Sequence, residues 1–139
     1  MMHITRRERF NAAHRLFNKE WDNIKNLEVF GKCSNPNWHG HNYELFVTVK
    51  GIQSEETGFV MNLKLLSSII NEQVINKVDH KNLNLEVDFL AGIQPTTENV
   101  AKAIWNELEF KIKATGAALH CVKLVETENN YVEYFGEIN

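Results

Sequence analysis

The clearest alternation of apolar and polar residues lies in the segment NYELFVTVK, at positions 42–50. Its apolar side chains occupy every second position, which is the pattern of a β-strand with one buried face. They are Tyr43, Leu45, Val47 and Val49. Phe46 interrupts the polar face, so we expect that face to be partly covered as well.

A second strand is predicted from Met2 to about His14. The period of two places Phe10, Ala12 and His14 on one of its faces. The polar stretch at residues 18–37 follows, and most of it is predicted to be loop. Its middle, EWDNIKNLEVF, could hold a short helical turn.

Two later stretches have the spacing of amphipathic helices. The first runs from about Leu63 to Lys77. The second starts at Pro95 and Thr96, with Thr96 as the N-cap and Glu98 favourable in the first turn. Their apolar stripes are Leu63, Leu66, Ile70 and Val74 in the first helix, and Val100, Ile104, Trp105, Leu108 and Ile112 in the second. The long connection between the helices, residues 79–95, has a length that is often functional.

The final strands are predicted in LHCVKLVE and YVEYFGE, joined by a turn at Asn129 and Asn130. The order ββααββ favours an α+β fold, a four-stranded antiparallel sheet with two helices on one face. Open sheet edges must be capped, charged or paired. We therefore expect an oligomer, in which several subunits pair their sheets into a closed barrel.

Composition limits the function further. The 139 residues fit one domain, 1–139, and the 43% of hydrophobic residues can build a core. A net charge of −3 does not suggest a nucleic-acid or anionic-membrane partner. No stretch is apolar enough to span a membrane, and no secretory signal is recognisable. The two cysteines form no disulfide framework, so a cytoplasmic location is expected.

The segment GKCSNPNWHGHNY concentrates the residues that carry chemistry. His39 and His41 lie two positions apart, so in an extended strand both imidazoles point the same way. His14, at the end of the neighbouring strand, is the best candidate for a third ligand. Three histidines with an open fourth position are typical of a catalytic zinc. The alternative is that these are ordinary surface histidines.

Cys33 and the pair Asp79–His80 each allow several interpretations. Cys33 could be a fourth zinc ligand, a small buried residue, or a reactive thiolate whose pKa is lowered by zinc, Lys32 and an imidazole. Asp79 and His80 could orient and polarise each other. A histidine stabilised by the end of a helix, beside a solvated aspartate, is the alternative.

Six motifs, in this order along the chain, resemble those of the 6-pyruvoyl-tetrahydropterin synthase family. They are FNAAHRL, VFGKCSNPNWHGHNY, GFVMNL, VDHKNLNL, PTTENVA and ETENNYVEYFGE, and together they cover nearly the whole chain. The resemblance implies the tunnelling fold, in which sheets of several subunits close a barrel. It implies a homo-oligomer, typically a hexamer of two trimers. It also implies that Zn²⁺ is held by His14, His39 and His41.

The same resemblance implies roles for further residues. Cys33 matches the catalytic thiol, and Asp79 and His80 complete a proton relay with it, expected to cross a subunit boundary. Glu126 matches the carboxylate that anchors the pterin ring. The segment that lines the pterin pocket is matched by Thr96, Thr97 and Glu98.

The implied reaction converts 7,8-dihydroneopterin triphosphate into 6-pyruvoyl-tetrahydropterin, with loss of triphosphate. A second branch of the family makes 6-carboxy-tetrahydropterin, a queuosine precursor, from the same substrate. The spacing between Cys33 and His39 and the ETENN hairpin resemble the biopterin branch. Trp38 departs from it, because a small residue is usual there, and is expected to reshape the pocket.

The alternative hypothesis is a binding protein and not an enzyme. In this hypothesis the chain forms a non-catalytic, zinc-stabilised oligomer that binds pterins, and Cys33 is inert. Incubation with the triphosphate substrate distinguishes this reading from an enzyme. The residues that would hold the triphosphate are not evident from the sequence. The basic candidates are Arg15, Lys19, Lys25, Lys32 and Lys81.

Overall fold

A single mixed sheet organises the protein in the computed structural model, which describes residues 1–138. Its strands are β1 (Met2–His14), β2 (His39–Gly51), β3 (Lys81–Asn82), β4 (Ala118–Thr127) and β5 (Asn130–Tyr134). They lie side by side in the order β3-β1-β2-β4-β5. All neighbouring pairs are antiparallel except β1 and β3, which are parallel.

The helices are α1 (Asn23–Phe30), α2 (Leu63–Ile70), α3 (Asn76–Val78) and α4 (Thr97–Lys113). A π-helical segment, Asn71–Ile75, joins α2 to α3, so the chain stays helical from Leu63 to Val78. This confirms the first predicted helix. Short 3-10 turns lie at Gly31–Ser34 and Asp88–Leu90. No helix within residues 1–138 combines the length and the apolarity that crossing a bilayer requires.

The core lies on one face of the sheet, against the helices. The alternating residues that were predicted to be buried in β1 and β2, such as Phe10 and Leu45, are at most a few per cent exposed. Helix α4 contributes the apolar stripe expected of it, and Ile104, Leu108 and Ile112 are fully buried. The Thr96 side chain accepts a hydrogen bond from the Asn99 N–H, as an N-cap does. The α+β fold and the placement of its helices are therefore confirmed.

The structure corrects the prediction of a four-stranded, purely antiparallel sheet, because β3 adds a fifth strand. This strand pairs only Lys81 and Asn82 with Ala12 and Ala13 of β1. Two residues are too short for an alternating pattern, so the sequence carried no signal for it. In the single chain the sheet stays open, and the multi-subunit barrel remains a prediction.

Two further boundaries differ from the sequence prediction. The stretch predicted as mostly loop holds the eight-residue helix α1, whose N-cap Asp22 accepts from the Lys25 N–H. The helix lies within EWDNIKNLEVF, for which only a short helical turn was considered, because α1 leaves Ile24 and Leu27 exposed instead of burying an apolar stripe. The last strand ends at Tyr134, not at residue 137.

The connection from Asp79 to Pro95 is tied to the end of β1. The His80 N–H donates to the Asn11 carbonyl, and the Leu83 N–H donates to the Ala13 carbonyl. The Asn84 side chain hydrogen-bonds both backbone groups of Arg15. These contacts hold the long connection against the end of β1, and the Pro95 carbonyl, just before α4, lies 2.9 Å from His14 Nδ1.

Candidate metal centre and active site

Three imidazoles converge at the end of the β1–β2 ladder. The antiparallel register places His14 directly opposite His39, and His41 opposite Ala12. Because His39 and His41 are two residues apart on a strand, both project to the face of His14. One nitrogen from each ring can be chosen so that all three lie within 4.8 Å of one another. The structure thus brings together the three histidines predicted as ligands.

The orientation of His14 leaves one ring nitrogen available. This residue is 1% exposed, and its Nδ1 lies 2.9 Å from the carbonyl oxygen of Pro95. Since a carbonyl can only accept, Nδ1 carries the proton and donates, and Nε2 keeps its lone pair. Hydrogen bonds of this kind fix the tautomer and direction of a metal-binding histidine.

The ring nitrogens that face one another have no hydrogen-bond partner among the described residues. They are His14 Nε2, both nitrogens of His39, and His41 Nε2. A buried polar atom without a partner costs about 1–3 kcal/mol, so such a cluster needs a ligand to compensate it. A metal ion bound by three imidazoles satisfies the cluster, so these residues fit the metal that the sequence motifs imply.

Burial also sets the protonation state of the cluster. It lowers the pKa of His14, His39 and His41 below the usual range, and the neighbouring imidazoles lower it further. The nearby Glu126 carboxylate opposes this effect in each case. The rings are therefore neutral near pH 7, which is the form that binds metals.

Glu126 places a carboxylate beside the histidine cluster. Its Oε1 lies 3.8 Å from His41 Nε2, and its side chain is 18% exposed. The Thr97 hydroxyl donates to Oε2 of Glu126 at 2.7 Å. Glu126 follows Val122 and Leu124 on the buried face of β4, as the period of two predicted. The start of α4 and the end of β4 thus meet at the site.

The three residues predicted to line the pterin pocket have different environments. Thr97 contacts Glu126 directly. Thr96 uses its hydroxyl to cap α4. Glu98 is exposed, and within residues 1–138 its side chain forms no hydrogen bond or ion pair. Of the three, only Thr97 forms a side-chain hydrogen bond to Glu126, the carboxylate beside the histidine cluster.

Tyr43 is a further member of the site that the sequence reasoning assigned only to the core. Its side chain is 1% exposed, and its ring centroid lies 5.6 Å from that of His41. Its hydroxyl is 3.5 Å from His14 Nδ1, and burial raises its pKa well above the usual range. The signal was present in HGHNY, because Tyr43 continues the alternation of His39 and His41.

Cys33 lies in the turn Gly31–Ser34, close to the end of β1. The Leu16 N–H donates to its carbonyl at 2.8 Å. Its sulfur is not part of the group of candidate ligand atoms, which consists of the three histidines. Burial raises the pKa of the Cys33 thiol, and the charge of Glu126 adds to this. Burial and Glu126 thus oppose the lowering of the Cys33 pKa that was expected from zinc, Lys32 and an imidazole.

Asp79 and His80 form a pair at the free edge of β1. The Asp79 carboxylate accepts from the Asn11 N–H at 3.0 Å and lies 3.0 Å from His80 Nδ1. The Asn11 hydrogen bond, followed by His80, lowers the pKa of Asp79. His80 has a φ of 61° and a ring that is 75% exposed. The predicted contact within this pair is present.

Within residues 1–138 His80 forms no hydrogen bond or ion pair with the histidine cluster, and it is not among the grouped candidate ligands. It borders a depression together with Asn11, Asn42 and His41, so this depression reaches one member of the cluster. No hydrogen bond within the described residues joins His80 to Cys33. The relay that was expected to cross a subunit boundary therefore stays a prediction.

Fold and site together define an α+β protein with a buried three-histidine centre that could hold a metal ion, next to a carboxylate. The sequence profile described as 6-pyruvoyl tetrahydropterin synthase matches residues 3–137. The chain belongs to this family of enzymes, as the six motifs indicated.

Individual relatives agree with this assignment. The chain is 48% identical over 134 residues to the 6-pyruvoyl tetrahydrobiopterin synthase of Pongo abelii, covering 96% of this chain and 91% of that protein. It is 31% identical over 112 residues to the 6-carboxy-5,6,7,8-tetrahydropterin synthase of Bacillus subtilis, covering 77% and 73%. The structure of Caenorhabditis elegans 6-pyruvoyl tetrahydropterin synthase matches with a TM-score of 0.90 and 34% identity, covering 98% and 96%.

Proposed function

We propose that this protein is a zinc-dependent 6-pyruvoyl-tetrahydropterin synthase that acts on 7,8-dihydroneopterin triphosphate and releases triphosphate. The observation that carries the proposal is the buried cluster of unpartnered imidazole nitrogens beside the Glu126 carboxylate. Such a site offers one place for a metal and another for a ligand with hydrogen-bond donors. The family relationship supplies the substrate class.

Glu126 would anchor the pterin ring. A pterin presents a ring N–H beside an amino group, and a carboxylate accepts both hydrogen bonds side by side. The Thr97 hydroxyl holds Oε2 of Glu126, which orients the carboxylate before the ligand arrives. Because Glu126 also lies next to His41, an anchored ring directs its side chain towards the histidine cluster.

His14, His39 and His41 would hold the zinc. A zinc ion bound there supplies Lewis acidity to the oxygens of the substrate side chain, which acidifies the neighbouring C–H bonds. The residues of this chain do the remaining work. Cys33 would accept a proton as the base, and His80, oriented by Asp79, would act as a second acid or base.

The proposed proton relay between Cys33 and His80 extends over two subunits of an oligomer. No hydrogen bond joins His80 to Cys33 within residues 1–138, and the relay would be completed by His80 of another subunit. The exposed position of His80, held at the edge of β1 by Asp79 and Asn11, suits a contact across a subunit boundary. We propose a homohexamer of two trimers, which also pairs the open edges of the sheet.

The product is the second point of the proposal. The 48% identity to a 6-pyruvoyl tetrahydrobiopterin synthase, against 31% to a 6-carboxy-tetrahydropterin synthase, favours the pyruvoyl product. Trp38 keeps the carboxy product as the second candidate, because this half-buried residue immediately precedes His39. Its φ of 70° is a conformation that a bulky side chain rarely adopts.

Turnover by the purified, zinc-loaded protein tests both points. We expect release of inorganic triphosphate from 7,8-dihydroneopterin triphosphate, and a pterin product with the mass of the 6-pyruvoyl compound. The mass of the 6-carboxy compound would instead assign the chain to the second branch. Pterin binding without release of triphosphate would favour the non-catalytic binding protein. The variant His39→Ala is the matched inactive control.

A further inference from the structure

A cavity of about 600 Å³ opens beside the histidine cluster, between α1, the turn Gly31–Ser34 and the first residue of β2. His39, Arg15 and Lys32 are among the residues that line it, and Asn23 and Asn35 add polar groups. The cavity therefore shares His39 with the candidate metal centre, whereas Glu126 and His41 are not among the described residues that line it.

The charge of this cavity differs from that of the whole protein. The chain has a net charge of −3, yet among the described residues no aspartate or glutamate lines the cavity. Arg15 and Lys32 bring two positive charges, and within residues 1–138 neither forms an ion pair. Two cations without carboxylate partners make a region that attracts anions.

Arg15 is held in place by contacts that leave its binding groups free. Its Nε donates to the Ser34 carbonyl at 2.8 Å, and its guanidinium lies 4.0 Å from the centre of the Phe17 ring. Its backbone N–H and carbonyl are both bonded to Asn84. The two Nη groups make no hydrogen bond within the described residues, so a fixed pair of donors remains for a phosphate group.

The carboxylate and the two cations adjoin different histidines of the cluster. Glu126 lies next to His41, whereas Arg15 and Lys32 line the cavity that includes His39. In 7,8-dihydroneopterin triphosphate, the pterin ring and the triphosphate are at opposite ends of a short hydroxylated side chain. A ring anchored at Glu126, with its side chain at the histidines, extends its triphosphate towards the cavity.

We propose that this cavity is the triphosphate subsite and that Arg15 and Lys32 are its anion-binding residues. The proposal rests on the proposed function, since that supplies the substrate. Arg15 would bind phosphate oxygens through the two Nη groups of its guanidinium. Lys32 would contact the triphosphate as a mobile point charge. Lys19 is not part of this proposed subsite, because it lines a different groove together with Trp21 and Phe30.

Binding of inorganic triphosphate to the zinc-loaded protein tests the subsite directly. By calorimetry, we expect Lys32→Gln to weaken binding about 10-fold and Arg15→Gln about 10-fold to 100-fold, the range for a hydrogen bond to a charged group. Lys19→Gln carries the same change of charge and should bind like the unchanged protein. Zinc content is measured after each titration, because the probe can also contact the metal.

The variant Lys32→Gln is the one less prone to disturb the structure, since Lys32 is exposed and its side chain forms no hydrogen bond or ion pair within residues 1–138, whereas Arg15 Nε also binds the Ser34 carbonyl. Arg15→Lys keeps the positive charge but removes the planar guanidinium. We expect its affinity for inorganic triphosphate to lie between those of Arg15→Gln and the unchanged protein. For the triphosphate substrate, KM should rise in parallel with these losses. The affinity for phosphate-free 7,8-dihydroneopterin should stay within twofold in every variant.

The outcomes separate this proposal from the proposed function. If the unchanged protein neither binds 7,8-dihydroneopterin nor turns over its triphosphate, the function itself is wrong. If it does both, but Lys32→Gln and Arg15→Gln bind inorganic triphosphate as tightly as Lys19→Gln, the cavity is not the subsite. Equal losses for the phosphate-free pterin would likewise overturn the assignment, by showing a general disturbance of the site.

Discussion

His14 and His39 stand directly opposite each other in the β1–β2 ladder, with their ring centroids 4.5 Å apart. The pairing register therefore creates the candidate metal centre, because a shift by one residue would turn one ring to the other face of the sheet. His41 lies on the same face as His39, because the two residues are two positions apart on β2. The positions of all three rings therefore depend on the pairing of β1 with β2.

Loss of one imidazole should remove the metal. In His39→Ala, two ligands remain, and we expect zinc content to fall well below one per chain and turnover to be abolished. Metal analysis after dialysis measures this. His3→Ala is the matched control, because His3 stacks on His120 away from the site. Full zinc and full activity in His39→Ala would show that the ligand set is wrong.

Loss of the Cys33 thiol should separate metal binding from catalysis. Since its sulfur is not part of the histidine group, Cys33→Ala should retain zinc and the oligomer but lose most of its turnover. Cys121→Ala, which removes the other cysteine at a buried position, should stay active. Zinc loss in Cys33→Ala would support a closed site with four protein ligands, and a normal rate would make Cys33 a packing residue.

The change Glu126→Gln should weaken pterin binding while preserving the shape of the side chain. It replaces one acceptor by a donor that faces the donors of the pterin, at a cost of about 2–4 kcal/mol. Zinc content and assembly should not change. Titration of a pterin product by calorimetry measures the difference, with the exposed Glu128→Gln as the control. Equal affinities for both variants would remove Glu126 from the site.

The metal-free protein should lose stability as the pH falls. Burial lowers the pKa of all three histidines in the folded state, whereas in the unfolded state they titrate near about 6.5. The unfolded state therefore binds more protons below that pH, so stability is complete above it and decreases as the pH falls towards the lowered values. Urea unfolding at several pH values measures this.

A variant with the three histidines replaced by glutamine is the control for this pH dependence, and its stability should change less between pH 7 and pH 5. An equal slope in both proteins would mean that other groups cause the loss. Zinc should suppress the effect in the unchanged protein, because protons and metal compete for the same ring nitrogens.

The spacing of apolar and polar residues along the chain was enough to predict several of its strands and helices and two of the candidate ligands. The alternation in β1 and β2 predicted which residues are buried, and it placed His39 and His41 on one face. The helical spacing and the N-cap Thr96 predicted α4. The six motifs indicated the family that the sequence profile confirms for residues 3–137. These features depend on neighbours in the sequence, so a period of two or of 3.6 residues is sufficient to recognise them.

Other features depend on contacts between residues that are distant in the chain. The hydrogen bond from Thr97 to Glu126 joins α4 to β4, and the Asp79 carboxylate reaches the Asn11 N–H at the edge of β1. No periodic signal records such contacts, because they arise only when the helices pack on the sheet. The same applies to the short strand β3 and to the full length of α1, for which the sequence suggested only a short helical turn because α1 buries no apolar stripe. Only the tertiary structure showed that the His80 N–H binds the Asn11 carbonyl at the end of β1, since this contact depends on where the long connection crosses the sheet.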